Sequence, residues 1–168
     1  MTTIFEHTNH ELNDLSLKEY FKLLIDTVPN VCNVEDLTHF FTDEPYSETK
    51  PYLIRRKLNP KDKRFKNIEL VYDDRNKVSA IVWDINITLT QLKDIFGEPL
   101  INNEPISNST SFAFPSTNKN ISIIKTRHRK WLTWEQEKNT FEYLNSNNQK
   151  VELVDPDFSF IQIDLTKN

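Results

Sequence analysis

Two short basic segments with aromatic neighbours hold the residue types in this chain that could do chemistry. Arg55-Arg56-Lys57, with Lys61, Lys63, Arg64 and Lys66, lies beside Tyr52 and Phe65. Lys125-Thr126-Arg127-His128-Arg129-Lys130-Trp131 lies just before Trp134. Guanidinium and ammonium groups grip phosphates and carboxylates, and aromatic rings stack bases, so such segments can bind an anion, a nucleic acid or an acidic protein. Along a strand side chains alternate, which puts Arg127 and Arg129 on one face and His128 and Lys130 on the other. A charged strand of this kind also protects a sheet edge from pairing with another chain.

The histidines and carboxylates suggest less. His7 and His10 have the i, i+3 spacing of a helical metal pair, but no third ligand is indicated and no metal is expected. His39 stands beside Phe40 and Phe41, where packing or capping a helix end is expected. The pairs Asp73-Asp74 and Asp155-Pro156-Asp157 could serve a hydrolase, yet both fall where turns select Asp and Pro for backbone reasons. No nucleophile stands in a recognisable partnership with a base. Cys32, the single cysteine, reads as a small buried hydrophobe and permits no internal disulfide. Nothing in the sequence therefore assigns a catalytic residue or a cofactor.

Composition excludes further classes. The 168 residues contain one glycine, eleven phenylalanines, three tryptophans and five tyrosines. A P-loop, a Gly-x-Gly-x-x-Gly turn and a Gly-x-Ser-x-Gly elbow each need several glycines, so none of them is present. No stretch approaches the roughly 18 apolar residues of a membrane span, and no signal-peptide pattern opens the chain, so the expectation is a cytoplasmic protein. The net charge of −4 conceals blocks. Residues 1–49 carry two basic residues against ten acidic ones, residues 50–66 eight against one, and residues 125–130 four against none. The acidic first third, with Asp36, Asp43 and Glu44, disfavours nonspecific nucleic-acid binding there and suits a basic protein partner.

The elements that must position these residues follow from periodicity. Residues 1–14 read as a polar lead-in, and residues 15–168 as one α+β domain. Ser16 with Glu19 forms a capping box before a helix whose apolar face is Leu17, Tyr20, Phe21, Leu24, Ile25 and Val28. A second helix is predicted over Val34–Phe41 behind Asn33, and a third over Leu89–Phe96 behind Thr88, with Gly97 and Pro99 past its end. Strands are expected at 52–58, 67–72, 77–83, 110–114, 121–126, 130–135, 140–145, 151–154 and 158–165. Residues 98–109 read as a polar loop, and 133–145 fits either strands or a helix, with strands favoured. The predicted fold is α+β: two N-terminal helices and one central helix on a largely antiparallel meander, in two successive helix-then-strands units.

The stretch Thr88-Leu89-Thr90-Gln91-Leu92-Lys93-Asp94-Ile95-Phe96-Gly97-Glu98-Pro99 resembles the helix ending in Phe/Leu-Gly-x-Pro of small αβ modules of the bacterial outer-membrane assembly lipoprotein and β-lactamase-inhibitor type. Those modules bind other proteins. The resemblance spans twelve residues, and the paired cysteines of those modules have no counterpart here. The function expected from the sequence is a non-catalytic protein-binding module, in concrete form an immunity or inhibitor protein that masks a partner enzyme or toxin. Its expected partner-binding residues are Asp36, Asp43, Glu44, Arg127, Arg129, Trp131 and Trp134. The alternatives are nucleic-acid or phosphate-ligand binding through segments 55–66 and 125–131, with Arg55, Arg56, Lys63 and Arg64 as anion ligands, and an enzyme with an unrecognised acid-base site.

Overall fold

Ser16 accepts the backbone N–H of Glu19 at 3.1 Å, and Glu19 accepts that of Ser16 in return, so helix α1 (Leu17–Thr27) starts at a closed capping box. In the computed structural model, which describes residues 12–43 and 54–167, α2 (Val34–Phe41) and α3 (Leu89–Phe96) occupy the predicted ranges. Thr88 caps α3 with a second box closed by Gln91. The strands are β1 (Arg55–Leu58), β2 (Asn67–Tyr72), β3 (Val78–Thr88), β4 (Leu100–Glu104), β5 (Ser109–Phe114), β6 (Ile121–His128), β7 (Thr133–Glu135), β8 (Thr140–Leu144), β9 (Lys150–Leu153) and β10 (Asp157–Leu165). The fold is α+β, with these helices on an antiparallel seven-stranded sheet ordered β1-β2-β3-β10-β6-β5-β4 and a small sheet ordered β7-β8-β9.

The helices meet the large sheet over Trp83. The Phe21 ring of α1 stands edge-on to Trp83 at 5.2 Å and to Phe96 of α3 at 5.4 Å, and Phe41 of α2 reaches Trp83 at 6.0 Å. Phe96 in turn packs on Phe114 of β5. Trp83, Phe21 and Leu37 exclude solvent completely, and truncating such a side chain typically costs about 2–5 kcal/mol. The opposite face of the sheet is half-buried and mixed. One row of it crosses all seven strands as Lys57, Glu69, Val82, Gln162, Lys125, Ala113 and Leu100.

Four asparagines take the positive φ that hairpins demand: Asn76 between β2 and β3, Asn108 between β4 and β5, Asn139 between β7 and β8, and Asn148 between β8 and β9. Short polar side chains tolerate this region. A chain with one glycine thus makes these four turns on asparagine. Asp73 locks the first of these turns by accepting the N–H groups of Arg75 and Lys77, and those bonds, Lys77's foremost, hold its carboxyl below the usual range.

Several expectations are corrected. Residues 100–104 are a strand, not part of a loop. β4 has one neighbour and exposes both faces, so Leu-Ile-Asn-Asn-Glu carries no apolar alternation. The lead-in is packed from Leu12 onward: Leu12 is buried, and Arg64 donates to the carbonyls of Leu12 and Leu15. Residues 133–145 form β7 and β8, as favoured.

Candidate functional site

The three-stranded sheet builds a broad groove on the surface. Phe141 of β8 packs on Phe112 of β5 at 6.1 Å and anchors the small sheet to the core. One face of that sheet, with Thr133, Glu135, Glu142, Leu144 and Lys150, borders a groove of about 840 Å³. Arg129, Lys130, Trp131 and Tyr143 complete its wall, and Asn108, Asn145 and Asn148 stand at its turns. The Lys130 ammonium sits 5.4 Å from the Tyr143 ring centroid, a cation–π contact. Trp131 is 39% exposed and Leu144 59%.

Trp134 takes a different position. Strand alternation turns it away from Thr133 and Glu135, and its ring meets Phe141 edge-on at 4.9 Å while staying 48% exposed. The structure therefore brings Arg129 and Trp131, in the link before β7, to one groove and puts Trp134 on the face of the β7–β8 hairpin turned away from it.

Arg127 joins Arg129 in a smaller pocket of about 290 Å³, with Asn86, His128, Asp157, Phe158, Ser159 and Phe160. Among the described residues, neither guanidinium forms an ion pair or a hydrogen bond. His128 is buried, its Nδ1 accepts the Lys130 N–H at 3.1 Å, and its ring meets Phe158 edge-on. Burial first, then the positive charge of Arg129, lowers its pKa, so at neutral pH the imidazole is uncharged and its proton is assigned to Nε2.

The other predicted residues are dispersed. Asp36 and Asp43 lie on or just after α2, which packs over β2, whereas Arg127 to Trp134 lie at or beyond the end of β6. β3 and β10 separate the two places in the sheet. Asp43 pairs with Lys61, and Glu44 lies outside the described residues, as do His7 and His10. Arg55 pairs with Glu69 on the mixed face, Arg56 points to the helix side, and Lys63 is exposed. Arg64 is spent inside the fold: its guanidinium grips Asp62 at 2.7 Å, donates to Leu12 and Leu15, and covers the Tyr20 ring at 5.8 Å. Arg55, Arg56, Lys63 and Arg64 accordingly do not converge on one anion site.

Asp155 and Pro156 have structural uses, whereas Asp157 lines the smaller pocket. Asp155 accepts the Thr90 N–H at 2.9 Å and the Pro156 carbonyl accepts that of Leu89, which together cap α3. Cys32 is buried, and burial pushes its thiol up to about 12. Such a thiol forms no thiolate at neutral pH. His39 is exposed in the last turn of α2. Among the described residues no cluster of three or more His, Cys, Asp or Glu side chains could hold a metal ion, and no helix is long and apolar enough to cross a membrane.

No protein-family model matches the chain, and no curated protein does. A solved structure with a similar course is that of YjgB, a DUF4309 family protein from Bacillus subtilis subsp. subtilis str. 168. It is 7% identical, with 97% of this chain and 96% of that one covered at a TM-score of 0.45. A likeness at that level says nothing about function.

Proposed function

We propose that this protein is a non-catalytic protein-binding module of the immunity or inhibitor type, which acts by occupying the surface of a partner. The observation that carries this reading is the exposure of two tryptophans three residues apart, Trp131 in the link just before β7 and Trp134 on β7 itself. Tryptophan is a residue whose truncation most often costs 2 kcal/mol or more at an interface. A groove flanked by Trp131, Tyr143 and Leu144, with Arg129, Lys130 and Lys150 alongside Glu135 and Glu142, combines apolar anchors with a polar rim. Binding of this kind needs no reaction at the site; masking the partner suffices. Asp36, separated from the groove by β3 and β10, supplies long-range attraction toward a basic protein rather than a contact in this groove, while Lys61 balances the charge of Asp43. The reading sets the protein in the cytoplasm, where the single thiol of Cys32 stays reduced.

Capture from the native cell tests it, with wild type compared against the Trp131→Ala/Trp134→Ala double variant. The expected result is one protein recovered near 1:1 with wild type, lost with the variant, and bound again when both purified proteins are mixed. Elution of the wild type alone, or equal recovery with the variant, overturns the proposal.

A further inference from the structure

We propose that the cleft between the ends of β6 and β10 binds a carboxylate, with Arg127 and Arg129 as the ligating pair. The cleft has a backbone origin. β6 and β10 pair from Leu165↔Ile121 to Gln162↔Lys125, and no ladder pair continues beyond that point. β10 instead shifts register against β3 between Phe158 and Phe160, and Thr126 Oγ1 donates to the Phe160 carbonyl in place of a ladder bond. A bulge of this kind bends a strand and ends its pairing. The two strands part there, and the pocket of about 290 Å³ lies in the gap.

The groups at that gap suit a monoanion. Arg127 and Arg129 both line it and are free of ion pairs among the described residues, so neither charge is already neutralised. Two guanidiniums present planar donor forks that match a carboxylate. Asn86 and Ser159 add an amide and a hydroxyl, Phe160 an apolar wall, and His128 the buried side. Asp157 lines the same pocket, so its charged groups sum to one positive charge. A carboxylate neutralises that balance, whereas a phosphate dianion leaves its second charge uncompensated. The volume falls at the small end of ligand sites. It fits a free small acid or the acidic side chain of a bound protein, and the site stands whether or not the protein-binding reading holds.

Side-chain and amide NMR titration of the intact protein tests this, using acetate, blocked glutamate (N-acetyl-glutamate α-amide) and inorganic phosphate as probes. Acetate and blocked glutamate are expected to shift the signals of residues 127, 129, 159 and 160, with affinity falling about tenfold in Arg127→Ala or Arg129→Ala. Arg127→Lys keeps the charge and loses the fork, so it falls between them. Asp157→Asn is expected to strengthen phosphate binding more than acetate binding. Tighter binding of blocked glutamate assigns the carboxylate to a protein side chain, and tighter binding of acetate assigns it to a free acid. Titrations unchanged in both alanine variants, or phosphate bound more tightly than acetate by the wild type, overturn the proposal.

Discussion

The indole Nε1–H of Trp83 donates to the phenol oxygen of Tyr20 at 3.0 Å, joining strand β3 to helix α1 across 63 residues of chain. Both side chains are cut off from solvent, at 0% and 2% exposure. The bond satisfies the one polar atom of the central indole, against which Phe21 of α1 and Phe41 of α2 pack, with Phe96 of α3 behind Phe21. It fixes where α1 sits on the sheet, because a buried N–H has no water to turn to.

Tyr20→Phe keeps the ring and leaves that N–H unpaired, so stability should fall by about 1–3 kcal/mol. Urea denaturation measures this directly. Burial also raises the Tyr20 phenol above its ordinary value, outweighing the opposite effect of the Trp83 hydrogen bond. An unfolded tyrosine ionises near pH 10 while the folded one does not. The associated stability is therefore intact below that pH and drains away as pH rises toward the folded value. Wild type should lose stability above pH 10 more steeply than Tyr20→Phe.

Gly97 ends α3 at φ +88° and ψ −162°, and an added Cβ would meet nothing within 4 Å. The demand for glycine is thus conformational rather than one of space. Its position is also not the left-handed helical well that asparagine shares, but an extended region with positive φ that is open almost to glycine alone. Gly97→Ala and Gly97→Asn should therefore both cost about 1–3 kcal/mol. An asparagine variant markedly more stable than the alanine variant in thermal unfolding would contradict this account.

Much of the fold was legible because its signals are local. The caps at Ser16 and Thr88, the stop at Gly97 and the hairpin at Asp73 each depend on residues within a few positions of one another. β4 was hidden because an edge strand lacks a buried face to impress alternation on its sequence. β3 runs five residues past its expected end because Asp84 and Asn86 fall on the uncovered side, where polar residues cost nothing. The site was half legible. Arg127, Arg129 and Trp131 declare themselves as a basic-aromatic segment. Tyr143, Leu144 and Lys150 belong to the groove only because Phe141 docks the small sheet on Phe112, a contact that no local pattern announces. Arg64 shows the reverse case: it sits in a block that looks like solvated charge, yet its partners include carbonyls 49 and 52 residues earlier.

His128 should make stability fall on mild acidification. Its pKa is lowered in the folded state, by burial and then by Arg129, so below about pH 6.5 the unfolded chain binds a proton that the folded one resists. Its contribution is fully present above that pH and is lost as pH falls toward the folded value, with a slope of at most about 1.4 kcal/mol per pH unit for one group. His128→Asn retains an acceptor for the Lys130 N–H and removes the titration. Between pH 7 and pH 5.5 the variant should lose less stability than wild type in parallel urea titrations.

The two exposed tryptophans should separate binding from stability. Trp131 borders the groove with part of its ring in water, so Trp131→Ala should change unfolding free energy by no more than about 0.5 kcal/mol, as for a surface position. Trp134 covers Phe141, whose own packing on Phe112 holds the small sheet in place. Removing it forfeits an edge-to-face aromatic pair and wets a buried ring, at a cost of about 1–2 kcal/mol. Partner recovery should nevertheless fall in both single variants. In Trp131→Ala that loss should appear with an unchanged melting curve, which only a direct contact residue can produce. Equal destabilisation by the two substitutions would mean that Trp131 is a packing residue and that the groove's anchor lies elsewhere.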